Sequence, residues 1–299
     1  MAAIASSELI TNDGGSVFHL HLRPGEIAEK IVLVGDPGRV KMIADRFDRV
    51  EQRQANREFH AITGTYRGQR LSVLSTGIGT DNIDIVVNEL DALVNIDLVT
   101  RRPRAEKQTL ELVRIGTSGA IQPHVPLGAF ILTGTSIGLD GVLRYYKGHE
   151  RVRDIEMEAA FTEQCRWPLD LARPYAVHSS PSLVERLYVE GITTKGVTLT
   201  ASGFYGPQGR ALRLPLQEED INDRIARFSH RGARVLNYEM ESAAIAGLSA
   251  LLGHRAATIC LAIANRATGE ALPDYKSRME QLIAHTLDQF TRQTKTLSS

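Results

Sequence analysis

Apolar residues fall along this chain in short continuous runs separated by stretches of helical period. Lys30 to Val34, Leu112 to Ile115, Gly128 to Thr135, Gly196 to Thr200 and Arg255 to Ala264 have the length and character of buried strands. Glu58 to Tyr66 and Leu71 to Thr76 are β-rich and meet at Arg67-Gly68-Gln69, a hairpin signal, with Arg57 at its entrance. Val17-Phe18-His19-Leu20-His21-Leu22 alternates like a short strand, which places His19 and His21 on one face. Helices are predicted over Val40–Phe47, Ile83–Val94, Ile155–Cys165 and Leu183–Glu190, with an amphipathic terminal helix over Tyr275–Lys295. Strands alternating with helices predict one α/β domain over residues 1–299. Within it, 1–15 is a polar, mobile lead, 95–110 a charged surface insertion, and Gln217–Arg231 a solvent-facing helix and lid.

Composition narrows the partners. A chain of 299 residues with 42% hydrophobic content can bury a sizeable core. Thirty-five cationic and 35 anionic residues cancel, so no global field favours nucleic acid or a membrane surface, and any anion must be met by a local site. Cys165 and Cys260 have neither metal nor redox spacing. The N-terminus lacks the basic and apolar regions of a signal peptide, and no apolar run approaches the roughly 18 residues of a membrane span. A reducing cytosol is the expected compartment.

Four stretches carry candidate chemistry. Leu236 to Gly247, LNYEMESAAIAG, sets Glu239 and Glu241 around Met240, after Asn237 as a helix cap; the acids suit a polyol, or simply complement a helix dipole. Gly35-Asp36-Pro37-Gly38-Arg39 lies between strand and helix, where backbone N–H groups and a guanidinium can meet phosphate, although many such turns are only turns. Arg114, inside a strand and just before Gly116-Thr117-Ser118-Gly119, needs an anionic partner, from protein or ligand. Phe204-Tyr205-Gly206-Pro207-Gln208-Gly209-Arg210 combines an aromatic face, an amide and a guanidinium that can read a planar heterocycle. Two other signals are weaker: His19 and His21 lack further metal ligands nearby, and Gly77-Ile78-Gly79 is followed by Asn82 where a dinucleotide fingerprint has its third glycine.

Anion, polyol and flat base together make a nucleoside plus phosphate. From Phe18-His19-Leu20 to Asn265-Arg266, nearly the whole chain resembles the nucleoside phosphorylase family of the kind that includes bacterial uridine phosphorylases. The resemblance rests on Gly-Asp-Pro-x-Arg at 35–39, Arg-Glu-Phe at 57–59, Arg-Ile-Gly-Thr at 114–117, Phe-Tyr-x-x-Gln-x-Arg at 204–210 and Tyr-Glu-Met-Glu-Ser at 238–242, in the family's order. It implies a three-layer α/β/α sandwich around a central mixed, partly barrel-like sheet. It further implies that Gly35, Arg39, Arg114 and Thr117 bind phosphate, with Arg57 reaching over from a neighbouring subunit. Glu241, Met240 and Thr117 would hold ribose, with His19 of the partner, and Phe204, Gln208 and Arg210 the base. Arg114, Gln208, Arg210 and Glu241 are the expected catalytic set.

The implied reaction is phosphorolysis of uridine, with deoxyuridine or thymidine as further substrates, in a dimer or a trimer of dimers. Ala264-Asn265-Arg266 stands where purine-cleaving relatives of the hexameric type carry a Ser-Asp pair, which favours a pyrimidine over a purine phosphorylase or nucleosidase. A non-catalytic nucleoside-binding protein is the alternative from another class. Inorganic phosphate is a co-substrate and no cofactor is expected. Bacterial relatives bind a monovalent cation near the positions of Glu58 and Ile78, but Thr80-Asp81-Asn82 replaces their Gly-Pro-Ser, so whether a cation binds there is left open.

Overall fold

The apolar runs become neighbouring strands of one sheet, and their order determines which strand ends meet. The computed structural model describes residues 3–292. The strands are β1 (Lys30–Val34), β2 (Arg49–Asn56), β3 (Phe59–Tyr66), β4 (Gln69–Ser75), β5 (Ile96–Asp97), β6 (Arg102–Pro103), β7 (Glu111–Ala120), β8 (Phe130–Gly138), β9 (Tyr175–His178), β10 (Thr193–Thr200), β11 (Ser229–His230), β12 (Ala233–Glu239), β13 (Arg255–Asn265) and β14 (Glu270–Ala271). The helices are α1 (Pro37–Ala44), α2 (Thr80–Asn95), α3 (Ile155–Gln164), α4 (Pro181–Leu187), α5 (Ile221–Arg227), α6 (Ser242–Leu252) and α7 (Lys276–Phe290).

Twelve strands form a mixed sheet in the order β11-β12-β10-β8-β13-β7-β1-β4-β3-β2, with β9 added to β8 and β14 to β13. Because β12 also pairs with β7, the strands β7, β13, β8, β10 and β12 close into a ring. The sheet is thus a partial barrel with an open flank. β7 runs parallel to both β1 and β13, the setting in which a strand is covered on both faces and reads as a continuous apolar run. On one side α2 and α6 bury Ile83, Val86, Leu90 and Ile245; on the other α1, α4 and α7 bury Val40, Ile43, Leu183 and Leu287.

Some local expectations change. Val17 to Leu22 folds as a turn, not a strand: Val17 N–H bonds Leu22 O and His21 N–H bonds Val17 O, so His19 and His21 share no strand face. Asn237 is no helix cap; it is a buried strand residue because β12 continues, paired with β10, as far as Glu239. Within Gln217–Arg231 only Ile221–Arg227 is helical, and Ile225 and Phe228 are fully buried instead of facing solvent. The lead is tied down where Ile4 N–H donates to Arg101 O at 2.8 Å and the Arg101 side chain donates to the carbonyls of Ile4, Ala5 and Leu9. The 95–110 excursion thereby forms a small β5–β6 ladder that clamps the first turn of chain. The expected terminal helix ends at Phe290, and Lys295 lies outside the described residues.

Candidate active site

At one end of the candidate site the termini of β1 and β4 lie beside the middle of β7, because Val34 registers with Ser75 on β4 and Ile115 on β7. Gly35 and Thr76 therefore leave the sheet beside Gly116, while β7 runs on to Ala120. Asp36 caps α1 by accepting Gly38 N–H at 2.8 Å, with Pro37 in the first turn. Arg39 follows, only 9% exposed. Its side chain donates no hydrogen bond among the described residues, and its nearest carboxylate oxygen, on Asp36, is 4.0 Å away. A guanidinium so enclosed and so poorly paired suits an anion. In β7, Thr117 is the single half-exposed residue among buried ones.

Arg114, in register with Leu33 two residues before Gly35, is 5% exposed. It forms an ion pair with Glu241, lies 3.3 Å from Glu239 Oε2 and donates to Cys260 Sγ at 3.5 Å. Burial works against its charge, yet the two carboxylates outweigh it and hold its pKa above the ordinary value. The partner left open by the sequence is thus protein, in a form a ligand can exchange. Gly116 makes room for the guanidinium: a Cβ there would lie 2.9 Å from Arg114 Cζ and 3.0 Å from Cys260 Sγ. Gly116→Ala is expected to cost about 1–3 kcal/mol through overpacking, as a melt would read.

The acidic part of the candidate site is set by the turn between β12 and α6. Glu239 accepts the N–H groups of Glu241 and Ser242 at 2.9 and 2.8 Å and the hydroxyls of Thr200 and Ser242 at 2.6 and 2.8 Å. These bonds fix the backbone that carries Met240 and Glu241. Glu241 then takes Gly79 N–H at 2.8 Å beside Arg114. Gly79 has φ +96°, where a side chain is strained. Burial raises the Glu241 pKa while Arg114 pulls it down. On the other side of this glycine loop Glu58 Oε1 accepts Asn82 Nδ2 at 3.2 Å. The carboxylate linked by resemblance to a cation thus meets the Asn82 amide.

At the far end of the candidate site, Gln208 is 3% exposed and its Oε1 is held by Arg210 at 2.8 Å and Arg266 at 2.6 Å. That orientation leaves Nε2 as the free donor. Arg210 also lies over the Phe204 ring at 3.9 Å, while Phe204 itself is half exposed. Burial lowers the pKa of Arg210, and burial followed by repulsion from Arg210 lowers that of Arg266 to about 10. Two guanidiniums crowded beside Gly119 form a strongly electropositive corner. From Gly116 to Gly119 is about 10 Å at 3.3 Å per residue, the spacing along β7 between the Arg114 end and the Gln208 end of the candidate site.

Arg57 and His19 stand apart from these groups. Arg57, at φ +52°, occupies the exposed β2–β3 turn, and its side chain makes no hydrogen bond among the described residues. Asn56, beside it, donates to His19 O at 2.8 Å, so one local unit presents both. Clefts of about 690 and 630 Å³, lined by His178, Lys195 and Arg234 and by Pro24, Lys30 and Arg104 respectively, open away from the candidate site.

Residues 29–293 match the model of the Phosphorylase superfamily. The chain belongs to that superfamily. It is 30% identical over 273 residues to the uridine phosphorylase of Thermococcus kodakarensis, covering 89% of this chain and 83% of the relative. It is also 31% identical over 263 residues to the DeoD-type purine nucleoside phosphorylase of Geobacillus kaustophilus, covering 84% and 87%. Among solved structures, a Trypanosoma brucei nucleoside phosphorylase described as showing uridine phosphorylase activity superposes with a TM-score of 0.83 at 28% identity, over 93% of this chain and 99% of that one.

Two residues that contact the candidate side chains are not singled out by the sequence. Arg266 is separated by 58 residues from the glutamine it holds; an arginine directly after a buried strand was the available signal. Glu89, which bonds His19, sits inside an amphipathic helix and reads there as one more solvated acid.

Proposed function

We propose that the chain cleaves uridine by phosphorolysis, giving uracil and ribose 1-phosphate. The observation that carries this reading is the corner where Gln208 is gripped by Arg210 and Arg266, with its amide donor free for a pyrimidine carbonyl. Asn265 supports it. Its amide donates to the carbonyls of Gln122 and Val125 at 3.0 and 2.8 Å, and its Oδ1 accepts Ala267 and Thr268 N–H. A residue so occupied has no proton for a purine N7, the task of the Asp in purine-cleaving relatives of the hexameric type.

Phosphate lies between Arg39, Arg114, Thr117 and the Gly35 backbone, completed by Arg57 of a neighbouring copy. Ribose lies on Glu241 and Met240, with His19 of that copy near the 5′-hydroxyl. A phosphate oxygen bonds the anomeric carbon as the glycosidic bond breaks and its electron pair passes to the base. Positive charge grows on the sugar beside phosphate and Glu241, and negative charge grows on uracil beside Arg210, Arg266 and Gln208. These contacts strengthen on the way to the transition state, which is where binding accelerates chemistry. Phosphate replaces Glu241 as the partner of Arg114, and ribose hydroxyls replace Arg114 on Glu241. The site is built from two copies, so the working unit is a dimer or a ring of dimers. No step passes through a metal ion.

A panel of uridine, 2′-deoxyuridine, thymidine, inosine and adenosine, each with and without phosphate, tests the reading. Uridine should be consumed only when phosphate is present; faster inosine cleavage, or uracil release without phosphate, contradicts it. Arg210→Ala removes one charge-assisted contact worth roughly 1.5–3 kcal/mol, so kcat/KM for uridine should fall on the order of tenfold to a hundredfold. An undiminished rate would take Arg210 out of base recognition.

A further inference from the structure

Glu89 lies in α2 with its side chain 12% exposed, and it accepts three N–H groups from one turn of chain. His19 N–H reaches Oε1 at 3.0 Å, Leu20 N–H reaches Oε2 at 2.9 Å, and His19 Nδ1 lies 2.6 Å from Oε1. We propose that Glu89 is a positioning residue for nucleoside binding: it locks His19 as the Nδ1–H tautomer and aims Nε2 at the 5′-hydroxyl of a nucleoside held by a neighbouring copy.

The tautomer follows from the partner. A carboxylate has no proton to give, so Nδ1 must supply the one in the bond, and Nε2 of the neutral ring is left as an acceptor. Nε2 has no hydrogen-bond partner among the described residues. The two backbone donors keep the carboxylate from turning away, as second-layer carboxylates orient working imidazoles elsewhere. Phe18 and Phe59 flank the ring edge-on, with centroids 4.9 and 6.2 Å away. Asn56 fastens the His19 carbonyl to the turn bearing Arg57. Imidazole and guanidinium are thus delivered by one rigid patch, and Glu89 acts on a site its own chain does not complete.

The kinetic part rests on the uridine reading above; the tautomer part does not. In the full-length enzyme Glu89→Gln should lower kcat/KM for uridine roughly tenfold, mainly through KM, and leave 5′-deoxyuridine, which has no 5′-hydroxyl, essentially untouched. His19→Ala keeps both backbone bonds to Glu89 and should show the same selective loss, with the double variant no worse than either single one. Equal losses on both nucleosides would mean a merely structural tie and overturn the proposal. Nitrogen-15 NMR of His19 reads the tautomer whatever the substrate: wild type should show an unprotonated Nε2, lost from that pure state in Glu89→Gln. A wild-type ring protonated on Nε2 and bare on Nδ1 would overturn it equally.

Discussion

Arg114→Met is expected to lose about 3–5 kcal/mol of stability at neutral pH, the usual consequence of stripping a buried ion cluster of one partner. It should also lower kcat/KM on the order of a hundredfold to ten-thousandfold, if two charge-assisted contacts of roughly 1.5–3 kcal/mol each are lost. Methionine replaces the aliphatic stem as far as about Nε, so the packing of the stem is largely kept and the charge is what is lost. What remains is Glu239 and Glu241 facing each other, both nearly fully buried. The loss should depend on pH with a definite sign. Burial already raises the Glu241 pKa, and Arg114 opposes it; without the arginine the folded-state value rises further. A carboxyl raised above its unfolded value contributes stability below that unfolded value and loses it as pH climbs through the folded one. The variant should therefore approach wild-type stability in acid and fall away toward neutrality. Melting curves across that range check it, and a deficit that is constant with pH would show that the carboxylates do not face one another as the structure has them.

How legible such a site is depends on whether its partners are local in sequence. The runs that became β1, β7 and β13 were readable because strands covered on both faces admit few polar residues. β2, with the sequence RVEQRQAN, was not, since it is an outer strand with residues half-exposed or exposed throughout. The alternation at Val17–Leu22 misled because Leu20 and Leu22 are buried by a turn bonded to Glu89, seventy residues away. The acidic stretch at 237–241 reads as a helix start, but pairing of Thr200 with Glu239 carries the strand two residues past Asn237. Asn237 keeps the look of a cap, yet Thr198 takes its Oδ1 at 2.8 Å inside the sheet.

The same reasoning explains which candidate residues could be foreseen. Gly35 and Arg39, and Arg114 and Thr117, lie in local stretches where glycine near a cation is visible in the letters. Arg266 gains its role from a loop that crosses to it, and its neighbour Asn265 draws attention first. Gln208 appeared in the sequence as a group able to donate and accept at once. The fold makes it a donor by giving both guanidiniums to its oxygen.

Glu241→Gln should produce the other large loss. The amide keeps the shape of the side chain and an oxygen for Gly79 N–H, but surrenders the charge that two ribose hydroxyls would meet. Losing two charge-assisted bonds of roughly 1.5–3 kcal/mol each predicts a fall in kcat/KM for uridine on the order of a hundredfold or more. Stability should change far less than in Arg114→Met. Glu239 still pairs with the arginine, and burial already disfavours the charge being removed. Each hydroxyl deleted from the substrate should shrink the effect of the substitution: largest on uridine, smaller on 2′-deoxyuridine, nearly absent on 2′,3′-dideoxyuridine. Such a cycle isolates the coupling between Glu241 and the sugar from any general damage to the site. An equal loss on all three nucleosides would assign Glu241 to holding Arg114 in place and leave the ribose to other groups.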